Sequence, residues 1–415
     1  MTRAAGAARD DAPDIAAREV RKVLLLRFTW SIILLQAVMT PYFVDKGLDL
    51  RDVFLLQSFF AFALLVFELP TGILSDVVGR RSVLVGAALA RGLGATALVL
   101  LEGFWGMAAA YALLALGNSA LSGSDVSALV DRYKAGGRTD RSLDFYLGRL
   151  RMLSLVAAAG SAAIGGVLAS GSLLVAGVAN CAIAWLALPV ALSISPDAVR
   201  AAGGGAAAPP AAMAVLRGAV AMMRANPILR LSLLAAAAFT LYTTSTTYAF
   251  QMRWLELGLD PAWMGVAFAA RSIVAAMAAT AMVGVVARFG AARALRAGGL
   301  VAAAALLLAV PPQLGTSLAA MILLATTDGV ASVLLLTRVN ALVTTEVRAT
   351  ANSTVNFLNR GLMIGFGPIL GAAAAREGAG GAFAILAALA VAVLIGLVLP
   401  LARRLRDEPP RAASR

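Results

Sequence analysis

Apolar stretches long enough to cross a bilayer recur along the whole of this 415-residue chain, separated by short segments rich in arginine. A membrane-spanning helix needs about 20 predominantly apolar residues. Hydrophobic residues make up 60% of the chain and charged residues 14%, whereas soluble domains have about 45–50% and about 25%. A soluble fold could not cover so much apolar surface, so the sequence predicts an all-α integral membrane protein.

The apolar stretches predict twelve transmembrane helices. In chain order these lie near 23–44, 52–73, 82–101, 104–130, 147–169, 172–194, 226–250, 262–287, 292–311, 315–337, 350–374 and 379–402. A stretch rich in glycine and proline separates six helices from six, which favours a flexible connection. The predicted divisions are an N-terminal tail (1–22), a six-helix bundle (23–194), a linker (195–225), a second six-helix bundle (226–402) and a C-terminal tail (403–415).

The two halves also show weak internal similarity. Three pairs of residues occupy equivalent positions when the second half is laid over the first: Gly79 and Gly290, Arg149 and Arg360, and Pro189 and Pro400. Many transporters are built from two such related halves around a site near the bilayer midplane. The pattern therefore predicts two pseudo-symmetric bundles.

Basic residues are unequally distributed between alternate loops. The loops on one side hold only Lys46, Arg51, Arg253 and Arg376, and the remaining loop and tail arginines fall on the other side. Cytoplasmic loops carry the excess of lysine and arginine. We therefore expect a multi-pass protein of the inner (plasma) membrane, with both termini, the linker and the tails cytoplasmic.

Several classes of function are disfavoured by composition. The net charge of +13 comes from basic residues scattered between apolar stretches, not clustered with aromatics as in a nucleic-acid-binding face. There is one cysteine, Cys181, and no histidine, so we expect no metal site, no cofactor and no enzymatic activity. Because histidine is the side chain that titrates most easily near neutral pH, any proton must be carried by a carboxylate.

The segment ELPTGILSDVVGRRSVLV lies between the second and third predicted spans. It resembles the signature loop of the major facilitator superfamily through Gly72, Asp76, Gly79, Arg80 and Arg81. Val77 replaces the basic residue that usually follows the aspartate. The resemblance implies two six-helix bundles that expose a central site alternately to each side of the membrane, and a monomer that moves a small-molecule substrate.

The loop residues have expected roles in gating. Gly72 would allow a close helix contact, and Gly79 the turn into the third span. The resemblance implies that Asp76 faces the positive N-terminal end of the eleventh span, and we expect Arg80 to pair with Asp131. The alternative is a short loop anchored only by its positive charge.

A second segment, GFGPILG in the eleventh span, contains Gly367, Pro368 and Gly371. It resembles a glycine-proline motif that antiporters of this family carry in their fifth span. The fifth span of this chain has glycines but no proline there. We interpret the glycines of GFGPILG as helix contacts.

Ionisable residues inside the membrane are costly and are candidates for function. Arg91, Arg271 and Asp328 lie near the middle of their spans, and Asp125 and Glu68 lie closer to the cytoplasmic side. Our first hypothesis is that Arg271 and Asp328 face each other and contact the substrate or carry a coupling proton. The alternative is a structural ion pair.

A second hypothesis pairs Arg91 with Asp125, and groups Glu68 with Arg149 or Arg151 near the inner gate. Here a structural role is the favoured interpretation, because helices meet the lipid headgroups in this zone. Polar residues expected to line a hydrated cavity are Gln36, Asn118, Tyr242, Thr244, Tyr248 and Asn356.

No phosphate-binding GxxxxGK[ST] loop is present, so transport would be driven by a gradient, of which protons are the preferred choice. The expected function is proton-coupled efflux of a hydrophobic or mildly polar compound, with the substrate, protons and membrane lipid as partners. Uptake of a nutrient by symport is an alternative. A scaffold that keeps the fold without transport is another.

Overall fold

The computed structural model of the chain describes residues 12–122, 124–135, 142–196, 218, 221–224, 226–343 and 345–406. These residues contain no strand. Ten helices among them are long and apolar enough to cross a membrane, and a broken helical pair near the N-terminus makes an eleventh span. The last of the ten contains non-helical residues at Glu377 and Gly378, so it comprises two spans. The prediction of twelve helices is thereby confirmed.

The spans are numbered in chain order. They are Ala12–Ser31 with Leu34–Ala37 and Met39–Asp45; Leu50–Val78; Arg80–Leu100; Gly103–Leu121 with Ser124–Ala135; Leu143–Gly171; Leu173–Ser193; Pro227–Glu256; Pro261–Phe289; Ala291–Leu308; Leu314–Thr327 with Asp328–Ser332 and Val333–Ala341; and, within Thr345–Val393, Leu394–Val398 and Leu399–Arg406, the spans 345–376 and 379–406.

Interruptions distinguish four spans from plain helices, among them the twelfth, which changes to a π-helical turn over Leu394–Val398. The first span is non-helical at Ile32, Ile33 and Val38, and the fourth stops at Leu121 and begins again at Ser124. The tenth changes to a π-helical turn over Asp328–Ser332. Such turns inside α-helices are frequent at functional sites. Hydropathy alone gave no sign of these interruptions.

Contacts between Cα atoms divide the chain into two compact units. The first contains 1–38 and 63–209, and the second contains 39–62 and 210–415. The second unit therefore includes the end of the first span and the start of the second span. In this respect the units differ from the sequence-based bundles, which divide at the central linker.

Close helix packing in the first unit depends on small residues of the third and fourth spans. A Cβ atom at Gly92 would lie 2.7 Å from the ring of Trp185, and one at Gly117 would lie 2.9 Å from the carbonyl oxygen of Ala87. Small residues at membrane helix interfaces allow such approach, and packing then replaces the hydrophobic effect as the source of association.

In the second unit, four aromatic side chains pack at one end of the seventh span. Phe250 stacks on Trp254 and contacts Phe383, and Trp254 meets the edge of Phe268. The buried indole nitrogen of Trp254 donates a hydrogen bond to the Ser317 hydroxyl at 2.9 Å. Spans seven, eight, ten and twelve are thus joined at this level.

Candidate functional site

Asp328 is the carboxylate at the centre of the second unit. It begins the π-helical turn of the tenth span, and its Oδ1 accepts hydrogen bonds from the hydroxyls of Thr243 at 3.0 Å and Ser332 at 3.2 Å. Gly329 follows, and a Cβ atom there would lie 2.5 Å from the carbonyl oxygen of Ala275 in the eighth span. Glycine is thus required for the turn to pack against that helix.

Arg271 lies in the eighth span, and its side chain contacts the seventh span, to which Asp328 is also hydrogen-bonded. Its Nη1 donates a hydrogen bond to the Thr247 hydroxyl at 3.2 Å, and its guanidinium carbon lies 5.9 Å from the centre of the Phe268 ring. Thr247 is one helical turn from Thr243, so both threonines lie on one face of the seventh span. Two opposite charges therefore bind hydroxyls that lie one turn apart on one helix.

The two charged residues line one small recess. Its walls are Phe239, Tyr242, Thr243, Thr246, Arg271, Leu324, Thr327 and Asp328. The sequence predicted that Arg271 and Asp328 face each other, and the structure places them together in this recess. Among the described residues, however, they form no direct ion pair, because each is hydrogen-bonded to a threonine instead.

The predicted pairing of Arg91 with Asp125 in the first unit is wrong. Arg91 donates hydrogen bonds to the carbonyl oxygens of Trp30 and Ile32. Asp125 pairs with Arg27, at 3.0 Å between Nη1 and Oδ2. The reason is the break after Ser31, which frees backbone acceptors that the sequence pattern did not reveal.

The cluster around Asp125 joins three spans. Arg27 of the first span binds Asp125 of the fourth span and, through Nε, the Ser154 hydroxyl of the fifth span at 3.1 Å. Asp125 is almost fully buried, whereas about a third of the Arg27 side chain, 34%, is exposed. Glu68 is half-buried, and Arg149 and Arg151 are exposed on the fifth span.

The arginines of the signature loop bind the ends of two other spans. Arg80 forms an ion pair with Asp131 and donates a hydrogen bond to the carbonyl of Ser127 at 2.8 Å. Arg81 donates to the carbonyl oxygens of Ile194 at 2.6 Å and Leu192 at 3.0 Å, at the end of the sixth span. The structure thus brings Arg80 and Asp131 together as expected from the sequence.

The two glycines of this loop differ in what they do. Gly79 has a φ of 91° and precedes the third span, a conformation that other residues rarely adopt. Gly72 is exposed, and among the described residues a Cβ atom there would meet nothing within 4 Å. The expected close helix contact at Gly72 is therefore not found. Asp76 lies in the second span, and its side chain is outside the described part of the structure.

Residues 39–62 form a tightly packed seam with the seventh and eleventh spans inside the second unit. The backbone N–H of Thr40 donates to Gln251 Oε1 at 2.8 Å, and the Ser58 hydroxyl donates to the carbonyl of Met363 at 3.0 Å. Cβ atoms at Gly367 and Gly371 would lie within about 3 Å of backbone oxygens of the second span, at 3.0 Å and 2.9 Å. Gly367 and Gly371 of GFGPILG are thus helix contacts, here with the second span, whereas a Cβ atom at Gly365 would meet nothing within 4 Å among the described residues.

The residues predicted to line a cavity have different surroundings. Tyr242 lines the recess and donates to the carbonyl of Leu389 at 3.3 Å. The Thr244 hydroxyl bonds back to the carbonyl of Thr240 at 3.0 Å, a common alternative for hydroxyls in helices. The side chain of Tyr248 is buried, while Gln36 and Asn356 are exposed. These last two lie outside the residues that line the recess.

Asn118 has a role that the sequence did not predict. Its Oδ1 accepts a hydrogen bond from the indole N–H of Trp30 at 3.2 Å, and its Nδ2 donates to the carbonyl of Leu114 at 2.8 Å. The sequence also did not single out Thr243 or Thr247. Their spacing of four residues, on a span facing two intramembrane charges, is the signal that would have identified them.

Comparisons with known proteins place this geometry in a family. The family profile described as the Major Facilitator Superfamily matches residues 23–360. A sequence comparison with curated proteins finds no match. Among solved structures, the nucleoside transporter NupG, in a point-mutant form, superimposes with a TM-score of 0.75 at 13% identity, covering 92% of this chain and 99% of that one.

Two further structures are similar. A bacterial homologue of the human lysosomal transporter Spinster, inward-facing and unoccupied, has a TM-score of 0.70 at 15% identity and covers 97% of this chain and 99% of its own. A D-xylose-proton symporter has a TM-score of 0.67 at 12% identity, with coverage of 92% and 97%. At these identities the structural similarity shows the fold. Together with the match of the family profile, it shows that this multi-pass membrane protein is a transporter and belongs to the Major Facilitator Superfamily.

Proposed function

We propose that this transporter couples movement of a small, uncharged or mildly polar solute to a proton, with Asp328 as the proton-carrying group. The observation that carries the proposal is the placement of Asp328 in a mid-span π-helical turn, bound by two hydroxyls and without a direct ion pair in the described residues. A carboxylate at membrane depth is costly while charged. Protonation removes that cost when the site changes the side it faces.

Arg271 would complete the coupling. Its guanidinium lines the same recess as Asp328 and keeps a permanent charge at any physiological pH. While Asp328 is ionised, the two charges balance. While it is ionised, Asp328 also accepts hydrogen bonds from donors on the solute, and its protonation removes that acceptor, so that proton and solute bind in alternation, as proton-driven export requires.

The rest of the recess favours a largely neutral solute. Besides the two charges, it offers the hydroxyls of Tyr242, Thr243 and Thr246 and the apolar walls of Phe239 and Leu324. Ligand sites of this kind are mostly apolar with a few placed polar groups. Such a site would suit a solute with a hydrophobic face and a few hydrogen-bonding groups.

Alternating access would require the seam of residues 39–62 to open and close. In the topology that we propose, with both termini cytoplasmic, the seam would lie on the outer side of the membrane. Its packed contacts with Gln251 and Met363 are consistent with an outer gate that is shut. The outward-open state would then separate residues 39–62 from the seventh and eleventh spans.

Export is the direction we propose, because the recess has few fixed charges with which to hold an anionic nutrient. Uptake by symport is the second candidate. It is favoured by the similarity in fold to a D-xylose-proton symporter and a nucleoside transporter.

Membrane vesicles of both orientations can test the coupling and the direction. The probes would be chloramphenicol as an uncharged, largely hydrophobic solute, and uridine and D-xylose as polar ones, each with and without an imposed pH gradient. We expect gradient-driven chloramphenicol accumulation in inverted vesicles, abolished by Asp328→Asn. The control is Glu102→Gln, an exposed carboxylate whose side chain makes no cap hydrogen bond.

The other outcomes are also decisive. Accumulation of uridine or D-xylose in right-side-out vesicles would replace export by uptake. Full gradient-driven transport in Asp328→Asn would exclude Asp328 as the proton carrier.

A further inference from the structure

The break in the first span is only partly explained by its own sequence. Pro41 cannot donate to the carbonyl of Ala37 and its ring crowds that carbonyl, which accounts for the interruption at Val38. The earlier interruption at Ile32 and Ile33 has no glycine or proline in or beside it. Contacts with other spans must therefore hold it open.

Those contacts come from three other spans of the first unit. Arg91 of the third span donates hydrogen bonds to the carbonyl oxygens of Trp30 and of Ile32, the latter at 2.9 Å. Its guanidinium carbon also lies 4.6 Å from the centre of the Trp30 ring. On the other side of the break, Asn180 Oδ1 accepts the backbone N–H of Leu34 at 3.0 Å.

Space for the open segment is provided by the fifth span. A Cβ atom at Gly165 would clash with the carbonyl oxygen of Leu34, so no larger residue fits there without movement. The backbone groups released by the break are thus bound on one side by Arg91 and on the other by Asn180, and the backbone rests on a glycine.

Arg91 in turn depends on the break for its hydrogen-bond acceptors. It is 6% exposed, lies near the middle of the third span, and among the described residues its partners are the two carbonyls and the Trp30 ring, with no carboxylate. An unpaired cation at this depth is costly. The C-terminal end of the helix that stops at Ser31 carries a partial negative charge of about half an electron, which compensates the guanidinium.

We propose that the break in the first span is a cation site whose permanent occupant is the guanidinium of Arg91. Half-helix C-terminal ends and unwound carbonyls coordinate coupling cations in transporters with discontinuous helices. Here a side chain of the protein fills that position. Arg91 is then a positioning residue that keeps the first span open, and removal of its side chain leaves a vacancy that accepts a small guanidinium ion. This inference does not depend on Asp328.

Thiol labelling at the break can test the proposal. Ile33→Cys in a Cys181→Ala background places a single reporter thiol beside the site. We expect Arg91→Ala to raise its labelling rate by about tenfold or more, because hydrogen bonds to a charged group are lost. Millimolar methylguanidinium should restore slow labelling with a saturable dose response, whereas sodium or choline chloride at the same ionic strength should not.

Matched variants separate a cation site from general loosening. Arg151→Ala removes an exposed arginine of the fifth span and should show no response to methylguanidinium. Arg91→Lys keeps a cation and should label more slowly than Arg91→Met, which keeps the length without the charge. These two variants also provide the test if Arg91→Ala does not fold.

Three results would overturn the proposal. They are labelling of Arg91→Met as slow as that of the parent, equal labelling of the lysine and methionine variants, and absence of any methylguanidinium effect in folded Arg91→Ala.

Discussion

At the scale of single residues, Thr243 and Thr247 determine how the charges of the recess are held. Each hydroxyl binds one of the two opposite charges of the recess, and each also donates a hydrogen bond to the carbonyl oxygen one turn back on its own helix. The hydroxyls hold Asp328 and Arg271 near each other without a direct ion pair.

Loss of the Thr243 hydroxyl should impair coupling. A hydrogen bond to a charged group contributes about 1.5–3 kcal/mol, so we expect Thr243→Val to lower gradient-driven transport by about tenfold or more. Thr244→Val is the control, since in the described part of the chain that hydroxyl bonds to the carbonyl of Thr240 on its own helix. Initial rates in vesicles measure both variants. Equal rates would show that the Thr243 contact has no role in coupling.

The ion pairs Arg27–Asp125 and Arg80–Asp131 of the first unit should differ in their contribution to stability. Asp125 has a side chain that is 4% exposed, whereas that of Asp131 is 34% exposed. Breaking a buried pair costs about 3–5 kcal/mol, which the partial exposure of Arg27 reduces to about 2–3. An exposed pair contributes about 0–1 kcal/mol.

Thermal unfolding in detergent should therefore separate Asp125→Asn from Asp131→Asn. We expect the first variant to melt several degrees lower and the second to melt close to the parent. If Asp131→Asn melts as low as Asp125→Asn, burial is not what ranks these pairs.

The partners of charged residues were predictable from the sequence only where the backbone is regular. Arg80 and Asp131 follow from their place at the same ends of two intact helical segments. Arg91 could not be assigned, because its acceptors are carbonyls released by a break that has no glycine or proline signal. Thr243 could not be singled out, because several hydroxyls lie on the same span and the packing of the helices decides which of them faces Asp328.

Discontinuities are the informative feature at the scale of whole elements. Apolar length predicted where the spans lie, because crossing a bilayer requires that length whatever the details of packing. It could not predict the π-helical turn that begins at Asp328 or the open segment at Ile32. Both interruptions are held by contacts between distant parts of the chain, with Gly329 and Gly165 providing the space.

Gly165→Ala should destabilise the first unit. The added methyl would meet the carbonyl of Leu34, and forced overpacking costs about 1–3 kcal/mol. Gly160→Ala is the matched control in the same span, where a Cβ atom would meet nothing within 4 Å and where alanine favours the helix. We expect a lower melting temperature for the first and an unchanged or higher one for the second. The opposite order would mean that the open segment of the first span can move away from the added methyl at little cost in free energy.

The seam of residues 39–62 matters at the scale of the whole molecule. Gly367→Ala would place a methyl 3.0 Å from the carbonyl of Phe54 and against the Ser58 hydroxyl. We expect this change to favour separation of the seam. Gly361→Ala, whose Cβ would meet nothing within 4 Å, is the control.

Thiol cross-linking reports on the seam directly. With Cys181→Ala as background, cysteines at Thr40 and Tyr248 should be linked more slowly by a short bifunctional reagent in Gly367→Ala than in the parent or in Gly361→Ala. Unchanged cross-linking would show that this glycine does not control the seam.

The division of the chain has a further consequence for recombination between relatives. One compact unit is made of residues 39–62 and 210–415, so the central linker is not the only boundary between the two units in the sequence. A chimera that exchanges halves at the central linker would set residues 39–62 of one parent against the seventh and eleventh spans of another. A hybrid that also transfers residues 39–62 with the second half keeps those surfaces matched. Such three-part hybrids should therefore retain activity more often than simple half-exchanges.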